Sequence, residues 1–128
     1  MFIRFVIGNR DENSGRRKGL FQAAYQLRAS GRMSASDEQQ LNQIMHWFDG
    51  NLAEPNRLAV SSKPRRKAQA ISWFRDAATE HIARMREFQA LLDHYGIAVE
   101  MLVERRPGYV VYEDEHQVVA YPFSETRC

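Results

Sequence analysis

Two short clusters hold most of the chemistry that this sequence offers at first sight. Ser14-Gly15-Arg16-Arg17-Lys18-Gly19 and Lys63-Pro64-Arg65-Arg66-Lys67 each concentrate cations where a helix is expected to begin. A helix N-terminus carries unpaired N–H groups and the positive end of the helix dipole, so it receives anions. Basic side chains placed there oppose that dipole, and a bound anion would reverse the penalty. Arg16, Arg17, Lys18, Lys63, Arg65, Arg66 and Lys67 are therefore candidate anion-binding residues. The competing reading is a solvated basic surface. A nucleotide P-loop is excluded, because neither Gly15 nor Gly19 leads into the Gly-Lys-Ser/Thr that cradles phosphates.

His81 falls inside an apolar helical stripe between Phe74, Ala78 and Met85. A histidine on such a face usually serves as a hydrogen-bonded core residue. Beside a pocket, however, burial would tune it for proton transfer. Tyr109 and Tyr112 are the polar aromatics that could complete such a pocket. Exposed rings on a strand can also stack on nucleic-acid bases. Here the two tyrosines fall on opposite faces of a regular strand, and the order of elements differs from that of RNA-binding sheets. Glu113-Asp114-Glu115-His116 brings carboxylates and an imidazole to a hairpin, but consecutive strand residues diverge and a further ligand would have to come from elsewhere. A solvated acidic turn is expected, with no metal and no cofactor. No His-Glu-x-x-His, Cys-x-x-Cys or Gly-x-Ser-x-Gly occurs, so catalytic residues are not assigned and enzymatic activity is left open.

These residues depend on a small set of elements for their placement. Residues 64–95 read as one long amphipathic helix, with Ile71, Phe74, Ala78, Ile82, Met85, Phe88, Leu92 and Tyr95 in steps of three or four. Gly96 ends it. Trp73, Phe74, Ile82, Met85 and Phe88 are expected in the core. Residues 2–7 read as a strand and residues 8–15 as a loop. Residues 16–29 read as a helix with Ser14 as its N-cap. A helix capped by Ser34 or Ser36 follows, with Asp37 and Glu38 in its first turn; Ser36 to Gln39 has capping-box spacing. It ends at Gly50-Asn51. Leu58-Ala59-Val60 reads as a short edge strand, with Ser61 or Ser62 capping the long helix. Residues 97–103, 109–113 and 117–121 form an antiparallel meander, turned at Arg106-Pro107-Gly108.

A chain of 128 residues suits one domain spanning residues 1–128, with a core that needs neither disulfide nor metal. The single cysteine, Cys128, excludes an intrachain disulfide. No apolar run approaches the ~18 residues of a membrane span, and the N-terminal stretch lacks signal-peptide character. A cytoplasmic protein is expected. The net charge of +2 conceals a basic middle and an acidic C-terminal third. The fold class is α+β: three helices on one face of a mostly antiparallel sheet of about four strands. The second face of that sheet is a candidate surface for homodimerisation. The expected function is that of a small binding or regulatory protein recognising an anionic partner, either an acidic protein surface or nucleic acid. A small enzyme built around His81 and a dimerising structural subunit are the alternatives.

Overall fold

A computed structural model of the chain describes residues 1–12, 15–54 and 70–128. In chain order the elements are β1 (Phe2–Arg10), β2 (Arg17–Gly19), α1 (Leu20–Ala29), α2 (Ala35–Asn51), β3 (Ile71–Arg75), α3 (Thr79–His94), β4 (Glu100–Glu104), β5 (Tyr109–Glu113) and β6 (Gln117–Tyr121). The fold is α+β, with an antiparallel sheet and three helices among the described residues. The sheet has six strands, not about four.

The extra strands come from two segments that the sequence reads as the first turns of helices. Residues 71–75 form the central strand β3 instead of the first turns of a long helix, so the helix runs only from Thr79 to His94. Ile71-Ser72-Trp73-Phe74 is β-branched and aromatic, and it is paired on both edges: Ile71 to Phe74 with β6, and Phe74 and Arg75 with β1. Ile71 and Phe74, three apart, share a helical stripe, but a strand buried on both faces accommodates them on opposite sides as well, so only the partners decide. Likewise, α1 begins at Leu20 with Gly19 as its N-cap, while Arg17–Gly19 forms β2 against β1. The strand expected over residues 97–103 is Glu100–Glu104. The expected strand at Leu58-Ala59-Val60 and the caps at Ser14, Ser61 and Ser62 lie outside the described residues.

β1 is the axis of the sheet. Ile3 pairs with both Val103 of β4 and Phe74 of β3, and Val6 pairs with both Glu100 of β4 and Gly19 of β2. So β4 runs along one edge of β1, while β3 and then β2 occupy successive parts of the other. Between them, at Arg4 and Phe5, that second edge forks. The order continues from β3 through β6 to β5.

Side chains alternate across this sheet. Phe5, Ile7 and Phe74 join the helical core of Leu20, Leu27, Leu41, Phe48, Met85, Phe88 and Leu92. Val6, Ile71, Trp73, Leu102 and Val118 face the other way and pack with Cys128. The centre of the second face is therefore covered; the large apolar side chains still exposed on the strands are Val103, Tyr109 and Val110. Trp73, Phe74, Met85 and Phe88 are buried, and Ile82 is partly buried against the core.

The helix ends follow local chemistry. Ser34, rather than Ser36, caps α2, its hydroxyl accepting from Asp37 N at 3.2 Å. At the end of α3, Gly96 N donates to Asp93 O and Ile97 N to Leu92 O, with Gly96 at φ 78°; this double closure needs the left-handed residue that glycine supplies. Tyr95 then ties the two helices together: its hydroxyl donates to Asp37 Oδ2 at 2.5 Å and accepts from Ser34 N.

Phe88 is fully enclosed, stacked parallel to Phe48 at 5.9 Å and edge-on to Phe21 at 5.5 Å. Phe88→Ala should cost roughly 3–5 kcal/mol, measured by denaturant unfolding; a loss below about 1 kcal/mol would mean that this aromatic cluster is not the core.

Candidate functional site

The fork in β1 produces a concavity. A cleft of about 490 Å³ opens beside Arg4 and Phe5, between the start of α1, the end of α2 and the first residues of β3. Such a volume suits a small ligand. Phe21, Phe48, Trp73 and Phe74 give its walls an aromatic character. Asp49 and Glu54 stand on the α2 side and are exposed.

Arg4 is the unusual member of this lining. It lies on β1, in register with Leu102 of β4, and is only 8% exposed. Its Nη1 donates to the main-chain oxygen of Cys128 at 3.2 Å, and its Nη2 donates to that of Arg17. Among the described residues no carboxylate side chain forms an ion pair with it. Burial pushes its pKa down to about 10; Cys128 and, more weakly, Asp11 act in the opposite sense, while Arg17 and Arg16 push the same way as burial. The group thus stays cationic at neutral pH in a place where charge is costly. A second unusual group lies nearby: the indole Nε1 of Trp73, on the cleft wall, is buried with no hydrogen-bond partner.

The basic side chains expected at helix N-termini are placed otherwise. Arg17 sits in β2, where its Nε donates to Ile7 O at 2.9 Å and its Nη1 pairs with Glu100 at 2.9 Å. Lys18 Nζ donates to Gln26 Oε1 at 3.3 Å. The first turn of α1 is Leu20-Phe21-Gln22 and carries no cation. Arg16 precedes β2 and is half-buried. Lys63, Arg65, Arg66 and Lys67 lie outside the described residues.

His81 is buried, as its place in the stripe suggests, but it does not line the cleft. It sits among rings. The ring of His116 stacks on it at 4.2 Å, and Trp47 meets it edge-on at 4.9 Å. Its Nε2 lies 2.7 Å from Asn51 O; a carbonyl only accepts, so Nε2 carries the proton and donates. The three residues expected to share a pocket do not meet. Tyr109 is 65% exposed and packs on Phe123, while Tyr112 donates to Asp114 Oδ2 at 2.8 Å.

The acidic hairpin is a structural knot. Asp114 accepts from Tyr112 Oη, His116 N, Gln117 N and Gln117 Nε2. Desolvation pushes its carboxyl upward, but these hydrogen bonds together outweigh it and hold the pKa below the usual 3.8. Tyr112, by the same contact with Asp114, is raised. Among the described residues no group of three metal-ligating side chains converges, and no helix is long and apolar enough to cross a membrane.

Gln117 joins the hairpin to the cleft. It is 3% exposed, lines the cleft, and donates to Ala53 O at 2.6 Å as well as to Asp114. Nothing in its sequence context marks it, because its role depends on the end of α2. The same holds for Arg4, which reads as one polar residue in an apolar strand.

No protein-family model, curated protein or solved structure matches this chain.

A depressed carboxyl stabilises the fold above its unfolded-state pKa, and that contribution disappears as pH falls through the folded value. Asp114→Asn removes this titration while keeping one acceptor. The stability lost between about pH 6 and about pH 3 should therefore be smaller in the variant than in the wild type when both are unfolded in urea. Identical pH profiles would show that Asp114 does not titrate against the fold.

Proposed function

We propose that the protein is a binding protein without catalysis, and that the cleft at the fork of β1 takes a small amphipathic anion. The apolar body lies against Phe21, Phe48 and Phe74, and the anionic head seats against Arg4. The observation that carries this reading is a buried arginine among the cleft-lining residues, whose guanidinium donates to the main-chain oxygens of Cys128 and Arg17 and, among the described residues, is in no side-chain ion pair. Cys128 and Asp11 offset that charge only in part, since burial still wins, so an incoming anion gains a charge-assisted contact in a poorly solvated place. This keeps the expectation of an anionic partner but moves it from helix N-termini to the sheet. The enzyme alternative lacks support at His81, whose polar contact is a main-chain carbonyl and whose other neighbours are rings. A cytoplasmic location suits such a role and belongs to the same proposal.

Trp73 provides the readout. In a Trp47→Phe background it is the sole tryptophan, and octanesulfonate should change its fluorescence saturably, whereas octanol should bind more weakly. Arg4→Gln should weaken octanesulfonate by roughly tenfold or more, as expected for loss of a hydrogen bond to a charged group, and leave octanol unaffected. A melt of the variant checks that it folds. Equal octanesulfonate affinity in the two proteins would overturn the reading, as would binding of heparin but not of octanesulfonate, which would return the partner to a polyanion on the surface.

A further inference from the structure

The end of α2 forms one wall of the cleft through Asp49, Leu52, Ala53 and Glu54. Two side chains from outside the helix hold that end. His81 of α3 donates to Asn51 O at 2.7 Å, and Gln117 of β6 donates to Ala53 O at 2.6 Å. Gln117 is a fixed amide. His81 is not, because its ring stacks at 4.2 Å on a second imidazole, His116, with 30° between the planes.

The surroundings decide what protons do to this pair. From α2, His81 meets Trp47, Phe48 and the Asn51 carbonyl; from β3 it meets Phe74. Of the charged groups nearby, Arg84 lies over the Trp47 ring at 5.2 Å, and Arg75 is held by Asp114 O and Glu113. On the hairpin, Asp114 is committed to its turn, and Glu115 Oε2 stands 3.9 Å from His116 Nε2. Glu80, on α3 itself, is exposed. Among the described residues no carboxylate bonds to His81. The side chain of His116 is 35% exposed and has Glu115 beside it. Charge on both rings would place two cations ring to ring, with His81 enclosed by aromatics and, among the described residues, no carboxylate bonded to it.

We propose that the stacked His81–His116 pair is a proton-operated latch on the α2 wall of the cleft. Protonation of both rings separates the stack, His81 releases Asn51 O, and the last turn of α2 loosens. Acidification then lowers the affinity of the cleft. The effect on affinity rests on the binding role proposed above, whereas the loosening of α2 does not.

Leu52 N donates to Phe48 O at 2.9 Å, so its amide reports the state of that last turn. Amide exchange, corrected for intrinsic rates, is followed from about pH 8 to about pH 5, the range in which imidazole gains its proton. In the wild type, protection at Leu52 should fall about tenfold or more relative to core amides as local opening becomes easier. In His116→Phe, which keeps a ring in the stack but cannot be charged, the fall should vanish; if that variant does not fold, His116→Gln poses the same question. Unchanged protection in the wild type, or an equal fall in the variant, would overturn the latch. Octanesulfonate, whose charge does not titrate in this range, is bound at both pH values in parallel. Loss of Leu52 protection without octanesulfonate binding at either pH would refute the cleft's role and leave the latch standing. Binding that ignores pH while Leu52 protection falls would refute the coupling.

Discussion

The backbone pairing of β1 is the constraint on which the rest of the molecule depends. One strand of nine residues serves three neighbours, with β4 on one edge and β3 then β2 in succession on the other. A buried strand must satisfy its N–H and C=O groups, and in this fold the nearby β2 and the distant β3 and β4 do so. The change of partner along one edge opens the fork at Arg4 and Phe5. The cleft, the burial of Arg4 and the position of α1 directly after β2 all follow from that change. A single long partner along that edge would close the sheet there and leave no concavity.

The two faces of the sheet are filled by different means. On the helical face the core is aromatic: Phe21, Phe48, Phe74 and Phe88 meet in edge-on, tilted and parallel arrangements suited to their quadrupoles. On the other face Cys128 packs with Val6, Trp73, Leu102 and Val118, and its carbonyl accepts from both Arg17 N and Arg4. Gly108, at φ 147°, permits the close passage of the β5–β6 hairpin, since a Cβ there would stand 1.9 Å from Tyr121 O. The covering of the second face and the burial of the arginine are thus one arrangement.

Folding also redistributes the charge asymmetry of the chain. Arg17 meets Glu100 across 83 positions, and Arg75 meets Glu113 across 38. These pairs are partly exposed and individually weak. They do, however, remove Arg17 from the set of free cations that a linear reading places at a helix terminus. What remains distinctive is Arg4, buried and, among the described residues, in no side-chain ion pair, which a count of charged clusters overlooks because it stands alone between Ile3 and Phe5.

The sequence by itself determined the features that act over a few residues. These include the strand at residues 2–7, a serine cap at the start of α2 (Ser34 or Ser36), the stop at Gly96, the hairpin around Asp114, the apolar stripe of α3 with His81 within it, and the α+β class. Each rests on local sterics, hydrogen bonding or periodicity. Tertiary structure decided whether residues 71–75 and 17–19 are helix or strand: the largely apolar run 71–74 suits either a helical stripe or a strand buried on both faces, Arg17–Gly19 carries no apolar signal, and the ladders with β1 and β6 settle the matter. It also decided which polar groups share a site. Arg4, Gln117 and His116 acquire their roles from the end of α2, the fork of β1 and the ring of His81. These partners lie far away in sequence, so no spacing within the chain announces them.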